Sequence, residues 1–268
     1  MDNETMFVLF GLSGLAAGFL AGLFGIGGGL IMVPVLVYAF TAAGFAAQHV
    51  VAMALGTSMA AIVFSAAQSA YGHYRLGSAS APTVCRTAPW AIAGVTVGTV
   101  VAAGVSRVPL LIFVGCFQFV AAALMLSDVS KYTVVQALAR QSVALRACAV
   151  AIGGVAAMAG IGGGTLFTPF LRASGMDTRQ AIGTSAALGL PVSIAGAASY
   201  ASAGYGLDLG GWTLGYVHLP ALLALVFGSV LTVRLGVAAA HQLDARALSR
   251  AFAVFLVLNG ARLMASAL

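Results

Sequence analysis

The chain has 268 residues, of which 61% are hydrophobic and only 7% charged, where a soluble domain carries roughly a quarter charged. Polar side chains this scarce cannot cover a water-facing surface, so the composition excludes a soluble globular protein and requires lipid. The net charge of +6 does not point to nucleic acid, because the 12 Lys and Arg stand singly between apolar segments, as orienting charges do in membrane proteins, and form no basic cluster.

The chain opens Met1-Asp2-Asn3-Glu4. A cleavable signal peptide wants a positive start, so the first apolar segment, 7–24, is expected to be retained. Gly14, Gly18 and Gly22 recur within it at every fourth position, a spacing that lets another helix approach closely. Gly11-Leu12-Ser13-Gly14 matches a short string of rhomboid-like intramembrane serine proteases. No histidine can be assigned beside Ser13 to act as its base, so the chain is read as a non-enzyme.

Next come Gly25-Ile26-Gly27-Gly28-Gly29 and a short apolar stretch, 30–40. Crossing a bilayer takes roughly 20 apolar residues, so this stretch cannot span alone. Three consecutive glycines cost about 1 kcal/mol each in a helix relative to alanine. A broken backbone survives at membrane depth only where protein or water shields it. The segment is therefore read as a re-entrant hairpin. Segments 48–70, 87–106 and 109–127 are long enough to span. The first carries Gly56-Thr57-Ser58 near its start, with Gln68 and Tyr71 near its end.

The pattern then recurs. Segment 142–159 leads into Gly160-Ile161-Gly162-Gly163-Gly164-Thr165-Leu166-Phe167-Thr168-Pro169-Phe170-Leu171, which matches Gly25–Leu36 at seven of twelve positions. The short stretch 165–171 follows the glycines, then 179–201 with Gly183-Thr184-Ser185 and Tyr200, and finally 214–234 and 247–266. Pro89 and Gly98 have counterparts in Pro220 and Gly228. Three ordered matches point to an internal duplication, with units at 1–135 and 136–268.

Charge sets the orientation of the units. With the N-terminus outside, the loops holding Arg75, Arg86, Lys131, Arg140, Arg146, Arg172, Arg179, Arg234, Arg246 and Arg250 are all cytoplasmic, and only Arg107 and Arg262 are not. One hairpin plus three crossings is an odd number, so the second unit is inverted. The expected fold is an all-α polytopic membrane protein of two inverted repeats, each a glycine-broken re-entrant hairpin with three transmembrane helices. Discontinuous helices in inverted repeats are a build of secondary transporters.

The candidate binding site lies where the two breaks meet. The short helices beginning near Leu30 and Thr165 direct unpaired N–H groups and a partial positive charge inward, which suits an anion. Gly27, Gly28, Gly29, Gly162, Gly163 and Gly164 admit the substrate to the backbone, and the hydroxyls of Thr57, Ser58, Thr184 and Ser185 are candidate donors. Gln68, Tyr71 and Tyr200 are weaker candidates. The same hydroxyls can instead bond their own backbone. Cys85, Cys116 and Cys148 are too far apart for a metal pattern, and no cofactor motif is present. No Asp or Glu stands in the middle of an apolar segment, and His49, His73 and His218 lie near segment ends. The coupling ion, proton or sodium, and the oligomeric state stay open; carbonyl ends of the preceding helices attract sodium. A passive channel is the alternative to a carrier.

The paired Gly-Ile-Gly-Gly-Gly…Pro motifs at Gly25–Pro34 and Gly160–Pro169, with the Gly-Thr-Ser triplets, resemble the TauE/SafE family of sulfite-exporter-like permeases. The resemblance covers nearly the whole chain. It implies transport of a small sulfur-containing anion such as sulfite, thiosulfate or an organosulfonate across a bacterial inner membrane. Thr165, standing where the first unit has Leu30, makes the half-sites unequal.

Overall fold

The computed structural model describes residues 3–24, 28–126, 142–210, 212–239 and 245–267. Gly27, Lys131 and Arg140, named above, lie outside these residues. In chain order the elements are α1 (Asn3–Phe24), α2 (Gly29–Ala42), α3 (Ala47–Arg75), α4 (Ala81–Gly104), α5 (Arg107–Leu126), α6 (Ser142–Ala159), α7 (Gly164–Ala173), α8 (Thr178–Ala203), β1 (Thr213–Leu214), β2 (Val217–His218), α9 (Leu219–Ala239) and α10 (Ala245–Ala265). The protein is an all-α polytopic membrane protein, as its composition requires. Helices α3, α4, α5, α8 and α9 are each long and apolar enough to cross a bilayer. At 14 and 10 residues, α2 and α7 reach only about 21 and 15 Å, well short of a hydrocarbon core of about 30 Å.

Glycine decides which helices touch. A Cβ on Gly14, Gly18 or Gly22 would strike the α9 backbone at Leu225, Ser229 and Val233 respectively. The four-residue spacing of α1 thus answers a four-residue spacing on α9, and Thr232 Oγ1 donates to the Leu15 carbonyl at 2.6 Å across the seam. Helices α4 and α6 meet in the same manner, with Gly94 against the Val150 backbone, Gly98 against Gly154, and Gly153 against Ala91. Further packing joins α3 to α8 and α5 to α10, while α2 lies on α3 and α7 on α8.

Helix α3 is the centre of the molecule, with every residue from Val50 to Ile62 buried. The periphery is the reverse: Val97 and Val100 of α4 and Leu223, Phe227 and Leu231 of α9 are exposed. In water such a surface would aggregate; in lipid it is solvated.

The structure departs from the expected element at 214–234. The helix there starts at Leu219 and runs on to Ala239, and 213–218 form a short antiparallel hairpin pairing Thr213 with His218 and Leu214 with Val217. Tyr216 and Val217 are buried and apolar because they face α3 and α8 rather than lipid. The hairpin reaches this position because Gly215, at φ 53°, passes directly beneath the Ala201 carbonyl. The matched prolines also differ in place: Pro89 is interior to α4, whereas Pro220 lies in the first turn of α9.

Candidate functional site

Each short helix starts from a glycine that only glycine suits. Gly28 and Gly163 cap α2 and α7 in the left-handed region, both at φ 78°, with ψ −9° and −13°. A Cβ there is strained whatever the space. The Gly28 carbonyl accepts from Ile31 N (3.1 Å) and Met32 N (3.3 Å), and the Gly163 carbonyl from Leu166 N (3.0 Å) and Phe167 N (2.8 Å). No side chain caps either helix. The N–H groups of Gly29 and Leu30, and of Gly164 and Thr165, have no acceptor within their helices, so each break carries a positive helix end. The Thr165 hydroxyl, buried at the start of α7, has no hydrogen-bond partner among the described residues.

The two breaks touch. A Cβ on Gly29 would collide with the Gly160 carbonyl and lie 3.0 Å from Ile161 Cα, so backbone meets backbone there. Gly160, at φ 66°, is enclosed by Val33 of α2 and Leu55 of α3.

The Gly-Thr-Ser triplets do three separate jobs. Gly56 makes room for the carbonyl of Tyr216, and Gly183 for that of Ser78, each on a connection from the other half of the chain. Thr57 Oγ1 accepts from His218 N and Thr184 Oγ1 from Ser80 N, both at 3.0 Å. Ser58 Oγ donates to the Gly160 carbonyl at 2.8 Å, and Ser185 Oγ to the Gly164 carbonyl at 3.1 Å while accepting from Thr168 Oγ1 at 2.9 Å. The hydroxyl hydrogens of both serines are therefore directed at the breaks themselves.

Tyr200 is fully buried and donates to the Ala157 carbonyl at 3.0 Å, bracing the end of α6. Gln68 carries a buried Oε1 with no partner. Tyr71 is 64% exposed, away from the breaks. Ser13 donates to the Leu9 carbonyl one turn back in its own helix, at 2.6 Å. No group of three His, Cys, Asp or Glu side chains able to hold a metal occurs among the described residues.

Three residues were missed in the sequence. Ser65 and Ser69 of α3 line a cavity of about 10 Å³ with Gly162, Ala186 and Gly189, about enough for one water. The Ser69 hydroxyl there is unpartnered. The spacing 58, 65, 69 puts three serines on one face of a helix, a legible signal. Gln118 is the third. Pro34 has no N–H, so the Leu30 carbonyl four residues back loses its helix partner. Gln118 Nε2, reaching from α5, donates to that carbonyl at 3.4 Å, and its own Oε1 is buried and unpartnered. A lone glutamine in an apolar span is itself a pointer to function.

One titratable group packs close by, outside the spans. His218 sits edge-on to Phe40 and Phe45, with ring centroids 5.2 and 5.5 Å away, and its Nδ1 accepts from Ala221 N at 3.2 Å. Burial in this aromatic setting lowers its pKa from the ordinary histidine value.

Residues 10–263 match the family described as "Sulfite exporter TauE/SafE". A "Probable membrane transporter protein" of Haemophilus influenzae is 36% identical over 255 residues, covering 94% of this chain and 96% of the relative. No solved structure matches.

Proposed function

Because the chain belongs to the sulfite exporter TauE/SafE family, and is thus a multi-pass membrane transporter rather than an enzyme, we propose that it is a secondary carrier of a small sulfur-containing oxyanion. Sulfite, thiosulfate or an organosulfonate is carried across a bacterial inner membrane, with the N-terminus outside. The observation that carries this reading is the meeting of the two breaks, Gly29 against Gly160 and Ile161, beside two helix N-termini that no side chain caps. Backbone amides at such ends bind oxyanions without a buried countercharge. The orphaned Thr165 hydroxyl offers a further donor at the same place.

The cavity lined by Gly162 of the second break holds about one water, and we read this arrangement as a closed carrier. Opening requires the breaks to part. We take 1–135 and 136–268 as the two units; their helices interleave, α1 lying on α9 and α6 on α4. We read these units as inverted repeats that rock about the crossing, in the manner of other carriers with broken helices. Proton or sodium coupling is compatible with this scheme.

The test is counterflow in proteoliposomes. Vesicles preloaded with unlabelled sulfite, thiosulfate or taurine are expected to accumulate the same labelled anion transiently, with saturation. Linear, non-saturating flux without counterflow would make the protein a channel.

A further inference from the structure

A second site lies away from the breaks, where α2 ends, α5 begins and α10 ends. We propose that the pocket there binds an oxyanion group, phosphate- or sulfate-like, between Arg107 and Arg262, the two basic residues that the orienting pattern of charge leaves unexplained.

The pocket has a volume of about 360 Å³ and is lined by both arginines. Thr41, Asn259 and Ser266 add uncharged polar groups, and Tyr38 an aromatic wall. The rest of the lining, including Leu9, Val35 and Leu263, is apolar, and no acidic side chain contributes among the described residues. A guanidinium in the last turn of α10, as Arg262 is, has an ordinary role beside the negative end of its helix. That role does not explain a second guanidinium arriving from another helix. Arg107 is the first residue of α5, so the positive end of that helix reaches the same place. Its Nε is buried and has no hydrogen-bond partner among the described residues. A buried N–H of a charged group left unpaired is costly, and an oxygen acceptor relieves it.

Arg262 is held in position. Its guanidinium lies over the Tyr38 ring, 5.0 Å from the centroid, and an arginine stacked in this way keeps its in-plane N–H donors free for a ligand. Two guanidinium forks with no carboxylate among the described residues of the pocket suit the several oxygens of a tetrahedral anion. Either a free inorganic anion or the headgroup of an anionic phospholipid carries that chemistry. The apolar part of the lining accommodates the acyl chains of the second.

Thermal unfolding of the purified full-length protein in detergent tests the site. One arm titrates sodium sulfate against sodium chloride at equal ionic strength. The other adds phosphatidylglycerol or, as the neutral control, phosphatidylcholine. Stabilisation by sulfate beyond chloride identifies a free oxyanion site; stabilisation by phosphatidylglycerol alone identifies a lipid headgroup. In either case Arg262→Gln, a change at an exposed side chain, raises the half-saturating concentration about tenfold or more, and Arg107→Gln does the same. If neither probe stabilises beyond its control, the proposal falls. It falls equally if the probe acts on Arg262→Gln as on the native protein, because binding at the glycine breaks does not depend on Arg262.

Discussion

Ser58 Oγ donates to the Gly160 carbonyl at 2.8 Å, tying a helix of the first half to the glycine break of the second across 102 residues of sequence. Both atoms are buried, so deleting the hydroxyl strands a carbonyl in a dry interior. Ser58→Ala is expected to cost about 1–3 kcal/mol, seen as a lower melting temperature in detergent. Ser185→Ala, which removes the bond to the Gly164 carbonyl and leaves the Thr168 hydroxyl without its acceptor, is expected to behave alike. An unchanged melting temperature in both would mean that the breaks hold themselves. Arg172→Gln, at the end of α7, serves as the comparison for substrate binding: it should alter affinity far less than either serine variant.

The glycine caps give a sharper test. Gly28→Leu and Gly163→Leu force a branched side chain onto φ 78°, and at Gly163 even a Cβ comes within 2.9 Å of the Phe167 ring. Transport should be abolished while insertion into the membrane persists, because the spanning helices are untouched. Gly29→Ala adds one methyl against the Gly160 carbonyl and should push the two breaks apart. Normal counterflow by a well-expressed Gly163→Leu protein would show that the breaks serve packing alone.

Sidedness is open to labelling. Leu76, in the connection between α3 and α4, and Tyr205, just after α8, are 60% and 82% exposed. The native Cys85 and Cys116 are exposed as well, so the experiment starts from a variant lacking all three cysteines. With the N-terminus outside, an impermeant maleimide applied to whole cells should label Tyr205→Cys and spare Leu76→Cys. The reverse pattern would invert the protein in the membrane.

Much of this architecture was legible because lipid imposes few solutions. Helical spans follow from apolar length, the breaks from Gly27 to Gly29 and Gly162 to Gly164, and the α1 seam from glycines at every fourth position. Less legible was what depends on partners distant in sequence. Thr57 and Ser58 look equivalent in the chain, yet one accepts from His218 N and the other donates to Gly160. Nothing local distinguishes the two. The hairpin at 213–218 was hidden because residues buried against protein are as apolar as residues facing lipid. Gln118 was visible as a polar residue in a span, but its task depends on the carbonyl that Pro34 frees on another helix.

His218 gives the protein a defined acid response. Its backbone N–H is held by Thr57, its Nδ1 accepts from Ala221 N, and Phe40 and Phe45 flank the ring. The folded protein thus favours the neutral ring, and burial places the folded pKa below the unfolded value of about 6.5. Between the two values the unfolded chain binds more protons than the folded one, so stability must rise with pH there. The contribution is therefore complete above about pH 6.5 and is lost as pH falls through the lower, folded value. The comparison has to be made against a variant. His218→Asn keeps an oxygen able to accept from Ala221 N but cannot take up a proton. The native melting temperature should fall between pH 6.5 and 5 more steeply than that of His218→Asn, even though the variant starts lower through lost aromatic packing. Parallel curves for the two proteins would mean that the ring is already protonated in the fold, or that it is free to leave its aromatic pocket when it becomes charged.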